Sequence, residues 1–342
     1  FLRDIIRVKA GFSHGLGGYV TLHYHLVEKI ENKVLGTPRE RNQKHSHDFL
    51  PEYDGWKKYG HCPIYGSKKT GTVFDPYAYI EDSIFYMCAS ERKTGDIILL
   101  QSADGKKWNF TSTMLSHIPN TWEHEINRGC VVKTDSCYYL WYTGQQDGKS
   151  NIGVAISYDG KKYSRIQKKP VLMPNFSYEG ISVMNPCVIW DESLRCFRMW
   201  YSAGENYEPD IICYAESKDG IHWRKSKGAV LAKNDNNEWE KYKVGGCQVI
   251  KTFDKEYIMY YIGYQNVDVA RICYATSEDG IHWDRTKNNL LLAPSSNSWD
   301  FDAVYKPTVV RKNDSLFLYY NGRKDTEEYI GLAIKKLRKN NI

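Results

Sequence analysis

The sequence predicts an all-β chain, a five-bladed β-propeller with a short, partly helical N-terminal extension, and three observations predict it. The first is repetition: SADGKKW (102–108), SYDGKKY (157–163), SKDGIHW (217–223) and SEDGIHW (277–283) are copies of one segment. Their leading serines lie 55, 60 and 60 residues apart, a period that belongs to tandem repeats. The second is the content of each repeat, four short runs rich in Val, Ile, Tyr and Trp with Gly, Asn and Asp between them, which reads as four strands and their turns. The third is composition: aromatic residues make up 14% of the 342 residues, with 27 Tyr and 10 Trp, and such side chains suit half-buried sheet surfaces.

In chain order, residues 1–53 stand outside the repeat. Within them HLVEKIENKVL (25–35) spaces Leu26, Ile30 and Val34 on one helical face. The domain proper is expected over 54–342. Its first piece, DGWKKYGHCPIY (54–65), resembles DGIHWRKSKGAVL (219–231) with a shortened turn. The last repeat ends after YIGLAIKKL (329–337) without its own turn and fourth strand, so residues 54–66 are expected to complete the last blade and tie the ring shut. Inner strands are expected to begin in VFDPYAYI (73–80), NRGCVVK (127–133), NPCVIW (185–190), GGCQVIK (245–251) and KPTVVRK (306–312), hence five blades. The SxDG segment is a turn: Asp bonds back to the chain and Gly supplies the positive φ of a tight reversal. The aromatic residue that closes it should pack between neighbouring blades.

A formal charge of +6 is scattered along the chain, with a denser basic tail at 335–341. No basic stripe or nucleic-acid module accompanies it, so a nucleic-acid partner is not expected. No apolar run is long enough to span a membrane. The nine cysteines lack paired spacing, which argues against a disulfide framework and favours the cytoplasm. Cys130, Cys187, Cys213, Cys247 and Cys273 recur at equivalent repeat positions, as small buried hydrophobes would. A chain opening at Phe1 leaves room for a removed leader. His23 and His25, like His45 and His47, could share one side of a strand, but no carboxylate or Cys signature joins them, so no metal or other cofactor is expected. Residues 1–53 could mediate a homo-oligomer.

Loops entering the inner strands, and those joining second to third strands, ring the channel mouth of a propeller. The entry positions hold Asp75, Glu125, Arg128, Glu179, Asn185, Asp302 and Lys306, and the hairpins add Glu91, Glu205, Tyr207 and Arg323. Carboxylates converging on an aromatic-rich funnel are what glycosidic cleavage needs: an acid for the leaving oxygen and a base or nucleophile for the anomeric carbon. Through VFDP in the first blade and the SxDGxxW turns, residues 54–337 resemble the five-bladed propeller glycoside hydrolases, the superfamily that includes families 32, 43, 62, 68 and 117. The resemblance implies a carbohydrate substrate and a base or nucleophile at Asp75. It also implies an Asp-Pro in the second blade and a general-acid Glu just before the third inner strand. Here the chain departs, with Arg128-Gly129 and Met184-Asn185-Pro186 at those places.

Glu125 and Glu179 are the nearest substitutes for the acid, and Asp302 is a third carboxylate that could orient or tune the others. Glu179 has a competing reading, because Trp122-Glu123, Tyr178-Glu179, Trp239-Glu240 and Trp299-Asp300 form a repeated aromatic-acid pair suited to a blade contact. Arg128, Asn185, Glu205, Tyr207, Lys306 and Arg323 are expected to bind substrate. The Glu-Asp-Pro-Arg signature of the phosphorylases that share this propeller is absent, and the basic groups suit an acidic or phosphorylated sugar. The expected function is hydrolysis of a glycosidic bond in an oligosaccharide or glycan. The alternatives are a silent carbohydrate-binding propeller and a transglycosylase or polysaccharide-modifying enzyme.

Overall fold

The computed structural model describes residues 52–337, apart from 206, 253, 255, 267, 268 and 287. The helix expected over 25–35 and the four N-terminal histidines lie outside the described residues. Twenty strands form five four-stranded antiparallel sheets. A short strand, β1 (Lys57–Lys58), precedes the first blade, which is β2 (Val73–Glu81), β3 (Ile84–Glu91), β4 (Asp96–Ser102) and β5 (Asn109–Leu115). The second is β6 (Glu125–Lys133), β7 (Tyr138–Gln146), β8 (Lys149–Ser157) and β9 (Ser164–Arg165). The third is β10 (Ser182–Asp191), β11 (Cys196–Glu205), β12 (Glu208–Ser217) and β13 (Arg224–Lys225). The fourth is β14 (Lys243–Lys251), β15 (Tyr257–Tyr264), β16 (Ala270–Ser277) and β17 (Leu290–Leu292). The fifth is β18 (Ala303–Lys312), β19 (Ser315–Lys324) and β20 (Glu327–Lys336), with β1 as its outermost strand.

Closure is therefore made by the two ends of the described chain. Lys57 pairs with Ile334 and Lys58 with Ala333, and Tyr65 bridges Ile330 further along β20. The inner strands β2, β6, β10, β14 and β18 touch in a closed ring, β18 against β2. The core is divided accordingly. Six clusters of buried side chains lie between neighbouring blades, two of them between the fourth and fifth; in one, Trp200 and Ile212 of the third blade pack against Met259 and Tyr261 of the fourth. A radial sheet is apolar on both faces, so each blade is stable only when sandwiched by the next.

The four SxDG turns are superimposable in their hydrogen bonds. In the third, Ser217 Oγ donates to Asp219 Oδ1 at 3.0 Å, and Gly220 N donates to Ser217 Oγ at 2.8 Å. Asp219 Oδ1 accepts from the N–H groups of Ile221 and His222, and Gly220 sits at φ 77°, a left-handed conformation. These turns are inter-blade joints. Trp141 Nε1 donates to Gly220 O at 2.9 Å, Trp200 Nε1 to Gly280 O at 2.8 Å, and the Tyr319 hydroxyl to Gly105 O at 2.8 Å. The closing aromatic of each of these turns packs edge-on against the same donor of the neighbouring blade: Trp223 on Trp141, Trp283 on Trp200 and Trp108 on Tyr319. All nine cysteines are free, eight of them buried and Cys62 exposed. No helix among the described residues is long and apolar enough to cross a membrane.

Candidate active site

Every inner strand breaks its pairing register once, at the same place. The shifts fall between Phe74 and Tyr77, Asn127 and Cys130, Met184 and Cys187, Gly245 and Gln248, and Tyr305 and Thr308. Inside each break stands a residue with left-handed φ: Asp75 (55°), Arg128 (57°), Asn185 (55°), Gly246 (49°) and Lys306 (52°). A β-bulge re-aims the side chain it carries. Four non-glycine residues held there store strain of the kind that persists where the surroundings over-determine it.

The surroundings are a set of clamps from the preceding blade's second strand. The bulge N–H donates to a side-chain oxygen in four of the five: Arg128 to Ser90 at 3.1 Å, Asn185 to Thr143 at 3.0 Å, Gly246 to Ser202 at 2.8 Å, and Asp75 to Asn321 Oδ1 at 2.9 Å. For Lys306 the equivalent position holds Ile262. A ring of five re-aimed residues, Asp75, Arg128, Asn185, Gly246 and Lys306, thus surrounds the axis.

Asp75 is the one carboxylate in the ring and is only 3% exposed. Burial pushes its pKa up from the ordinary Asp value; the charges of Arg128 and Lys306 pull against that rise, and Glu328 adds to it. Arg128 Nε stands 3.5 Å from Asp75 Oδ2, and Oδ2 makes no hydrogen bond among the described residues. Arg128 also donates to Met184 Sδ at 3.3 Å. Lys306 is 5% exposed, so its charge is delivered into the ring with little solvent to screen it. Asn185 Nδ2 donates to Ser202 Oγ at 3.2 Å.

Four other expected residues stand on the rim. Glu125 is exposed at the start of β6, and its charge falls on Tyr207. The Tyr207 hydroxyl accepts from Gly148 N at 2.6 Å, which joins the hairpins of the second and third blades. Glu205 lies beside Gly180, where a Cβ would meet its Oε1 at 2.8 Å. Arg323, at the end of β19, sets its charge near Tyr264 and Tyr305.

Glu179 and Asp302 belong to the walls. Glu179 is fully buried. It accepts from the Tyr201 hydroxyl at 2.7 Å, from Lys225 Nζ at 2.7 Å, and from the N–H groups of Asn175 and Phe176. Burial opposes its ionisation, but those four donors prevail and hold its pKa below the usual Glu value. Burial likewise lowers the Lys225 pKa while Glu179 pulls it back up, and Met173 O and Asn175 Oδ1 also accept from its ammonium. A carboxylate so saturated is engaged in the wall of its blade.

The same triad recurs. Glu123 takes the Tyr142 hydroxyl and Arg165, Glu240 takes Tyr261 and Arg285, and Asp300 takes Tyr320 and Lys58. In the second, third and fifth blades the cation comes from the outermost strand and ties it to the blade, whereas Arg285 of the fourth precedes β17 by five residues. The repeated aromatic-acid pair is therefore a blade contact. Asp302 is also fully buried, and its Oδ2 accepts from Asp325 N at 2.6 Å, anchoring the β19–β20 hairpin.

Sequence reasoning missed Glu328, Arg92, Tyr305 and Asn321. Arg92 Nη2 donates to Glu328 Oε2 at 3.0 Å, and the Tyr305 hydroxyl donates to Glu328 Oε1, so a second carboxylate is held within electrostatic reach of Asp75. Only Asn321 left a readable signal: aligning WYTG (141–144), WYSAG (200–204), YYIG (260–263) and YYNG (319–322) puts it opposite Thr143, Ser202 and Ile262.

Five radial sheets with a re-aimed acid in the first inner strand make this a glycoside hydrolase-like propeller, similar to both glycosidases and phosphorylases. Residues 118–245 match the family model described as the glycosyl hydrolases family 32 N-terminal domain. A solved structure titled "Glycoside hydrolase" superposes with a TM-score of 0.69 at 16% identity, covering 87% of this chain and 96% of that one, a likeness of fold. "Uncharacterized protein Rv1502" of Mycobacterium tuberculosis (strain ATCC 25618 / H37Rv) is 29% identical over 223 residues, 61% of this chain and 71% of that protein. A 1,2-beta-oligomannan phosphorylase of Thermoanaerobacter sp. (strain X514) is 33% identical over 135 residues, 36% of this chain and 44% of that enzyme.

Proposed function

We propose that the protein cleaves a glycosidic bond in an oligosaccharide or at a glycan end, with Asp75 as the group that moves the proton. The observation that carries this reading is Asp75 itself: a buried carboxylate of raised pKa, aimed by a strained bulge, with one oxygen free of hydrogen bonds. A raised pKa favours the protonated carboxyl, which suits a general acid and not the base or nucleophile that the resemblance implies for Asp75. In hydrolysis its proton passes to the leaving oxygen as the anomeric C–O bond breaks, a water oxygen bonds to the anomeric carbon, and the proton that water gives up passes to solvent, from which Asp75 is re-protonated. Glu328, hydrogen-bonded by Arg92 and Tyr305, is the second carboxylate whose charge supports the raised pKa of Asp75.

A second reading rests on a specific observation: two cations, Arg128 and Lys306, stand in the same ring as the acid. Inorganic phosphate in place of water would form a sugar 1-phosphate while the same C–O bond breaks and Asp75 protonates the same oxygen. The relative named as a phosphorylase supports this alternative. One experiment separates the two. A panel of aryl glycosides and oligosaccharides, β-1,2-linked mannosides included, is incubated with and without inorganic phosphate, and reducing sugar and sugar 1-phosphate are measured. Free sugar without phosphate means hydrolysis, and sugar 1-phosphate formed only with it means phosphorolysis. Asp75→Asn should lower either activity by about 10²–10⁴-fold. Full activity in that variant would remove Asp75 from the chemistry, and retained sugar binding without turnover in the wild type would favour a binding propeller.

A further inference from the structure

The clamp on the bulge N–H needs one acceptor oxygen, and a hydroxyl supplies it in three blades, from Ser90, Thr143 and Ser202. At Asp75 alone the clamp is a carboxamide. Asn321 Oδ1 accepts the Asp75 N–H, and that bond fixes which way the amide points, because the flipped amide would set donor against donor. The Asn321 Nδ2 group is thereby left over. Asn321 is fully buried, and its Nδ2 has no hydrogen-bond partner among the described residues. A buried N–H without a partner is costly, and a Ser would have served the clamp without incurring that cost. The neighbouring Asp75 Oδ2 likewise accepts no hydrogen bond, with Arg128 Nε as its ion-pair partner at 3.5 Å. A donor and an acceptor without hydrogen bonds, on two residues joined by one, are suited to one common oxygen atom.

We infer that Asn321 is a second substrate-contacting residue of this site: its Nδ2 donates to the oxygen that Asp75 protonates, the oxygen leaving the anomeric carbon. The inference rests on the reading of Asp75 as the acid. As the C–O bond breaks, its electron pair goes to that oxygen and the Asp75 proton follows. Asn321 keeps its own proton and stabilises the developing negative charge, as a preorganised donor does. The same step serves whether water or phosphate takes the sugar.

The test uses Asn321→Ser and Asn321→Thr, which keep the acceptor oxygen that the other blades use and withdraw the Nδ2 donor, leaving only the shorter hydroxyl. With an alkyl or sugar leaving group, kcat/KM should fall about tenfold or more, the loss of one well-placed hydrogen bond. With a dinitrophenyl glycoside, whose leaving group needs no help, the change should stay below about twofold. A variant weakened merely in fold would lose equally on both substrates, and that result overturns the inference. Asp75→Asn run beside it keeps the two claims apart: no leaving-group dependence in Asp75→Asn sinks the acid reading, whereas dependence there but not in the Asn321 variants sinks only the role of Asn321. A high-resolution crystal structure of the unliganded wild type gives a readout free of activity. An ordered water bonded to both Asn321 Nδ2 and Asp75 Oδ2 is expected, and a dry site with both groups turned to protein partners overturns the inference.

Discussion

Replacing Lys58 with methionine should open the propeller at its closing blade. Lys58 comes from β1, the strand that completes the fifth blade, and its ammonium donates to Asp300 Oδ2 at 2.6 Å, Ala293 O at 2.7 Å and Ser295 Oγ at 2.7 Å. Its side chain is 10% exposed and that of Asp300 1%. Burial lowers the pKa of Lys58 and Asp300 restores part of it, so the pair is desolvated and mutually dependent. Methionine fills the same volume but leaves Asp300 with the Tyr320 hydroxyl alone, at 3.1 Å. Stranding one member of a buried pair costs about 3–5 kcal/mol. For a domain of this size that is roughly 6–10 °C in Tm.

Calorimetry and amide hydrogen exchange read the result. Exchange should quicken at Tyr59 and Ile64, whose N–H groups bond Leu332 O and Ile330 O across the seam. Lys225→Met breaks the equivalent triad inside the third blade, so a comparable fall in Tm is expected with the seam amides still protected. Adding Asp300→Asn to Lys58→Met should recover part of the loss, because no uncompensated charge remains. A Lys58→Met protein that melts within about 2 °C of wild type would refute the reasoning that this ion pair locks the ring.

Asp75→Asn should stabilise the fold at neutral pH while removing activity. A carboxyl with raised folded-state pKa contributes stability that is present below its unfolded pKa and is lost as pH rises through the folded value. The gain in Tm over wild type should therefore grow from pH 4 to pH 7, and a constant difference would contradict it. Glu179→Gln should lower Tm by several degrees and leave the pH dependence of turnover unmoved; a shifted profile would return Glu179 to the chemistry. Glu179 has a depressed pKa, so its stabilisation is present above the unfolded Glu value and is lost as pH falls through the folded one, and acid melting should be milder in the Gln variant. Lys306→Met removes a charge that lowers the Asp75 pKa, so the limb of the pH–rate profile due to Asp75 should move to higher pH, and an unmoved limb would separate the two residues.

What the sequence determined by itself is local and repeated. The SxDG turn needs only residues within six positions of one another, and the strand runs alternate with it at a near-constant period. Blade count and the resemblance of residues 54–65 to a fourth strand were legible by laying one repeat on the next, and each inner strand was located, though four of the five begin two or three residues earlier than the repeat suggests. The candidate site was legible to the same depth: Asp75, Arg128, Asn185 and Lys306 are equivalent positions of successive repeats, and the structure brings all four to one ring. Which carboxylate is free was a different matter. Glu179 and Asp75 both stand where inner strands begin; the repeated aromatic-acid pair sets Glu179 apart in the sequence, but the partners of neither can be read there. Glu179 is saturated by Tyr201, 22 residues on, and by Lys225, 46 residues on. Asp75 meets Asn321, 246 residues away, and Arg128 across a blade boundary. Proton affinity depends on desolvation and on charges and donors a few ångströms off through space. Those neighbours are assigned by ring closure, and so only the tertiary structure could show which carboxylate is saturated and which keeps an oxygen without a hydrogen bond.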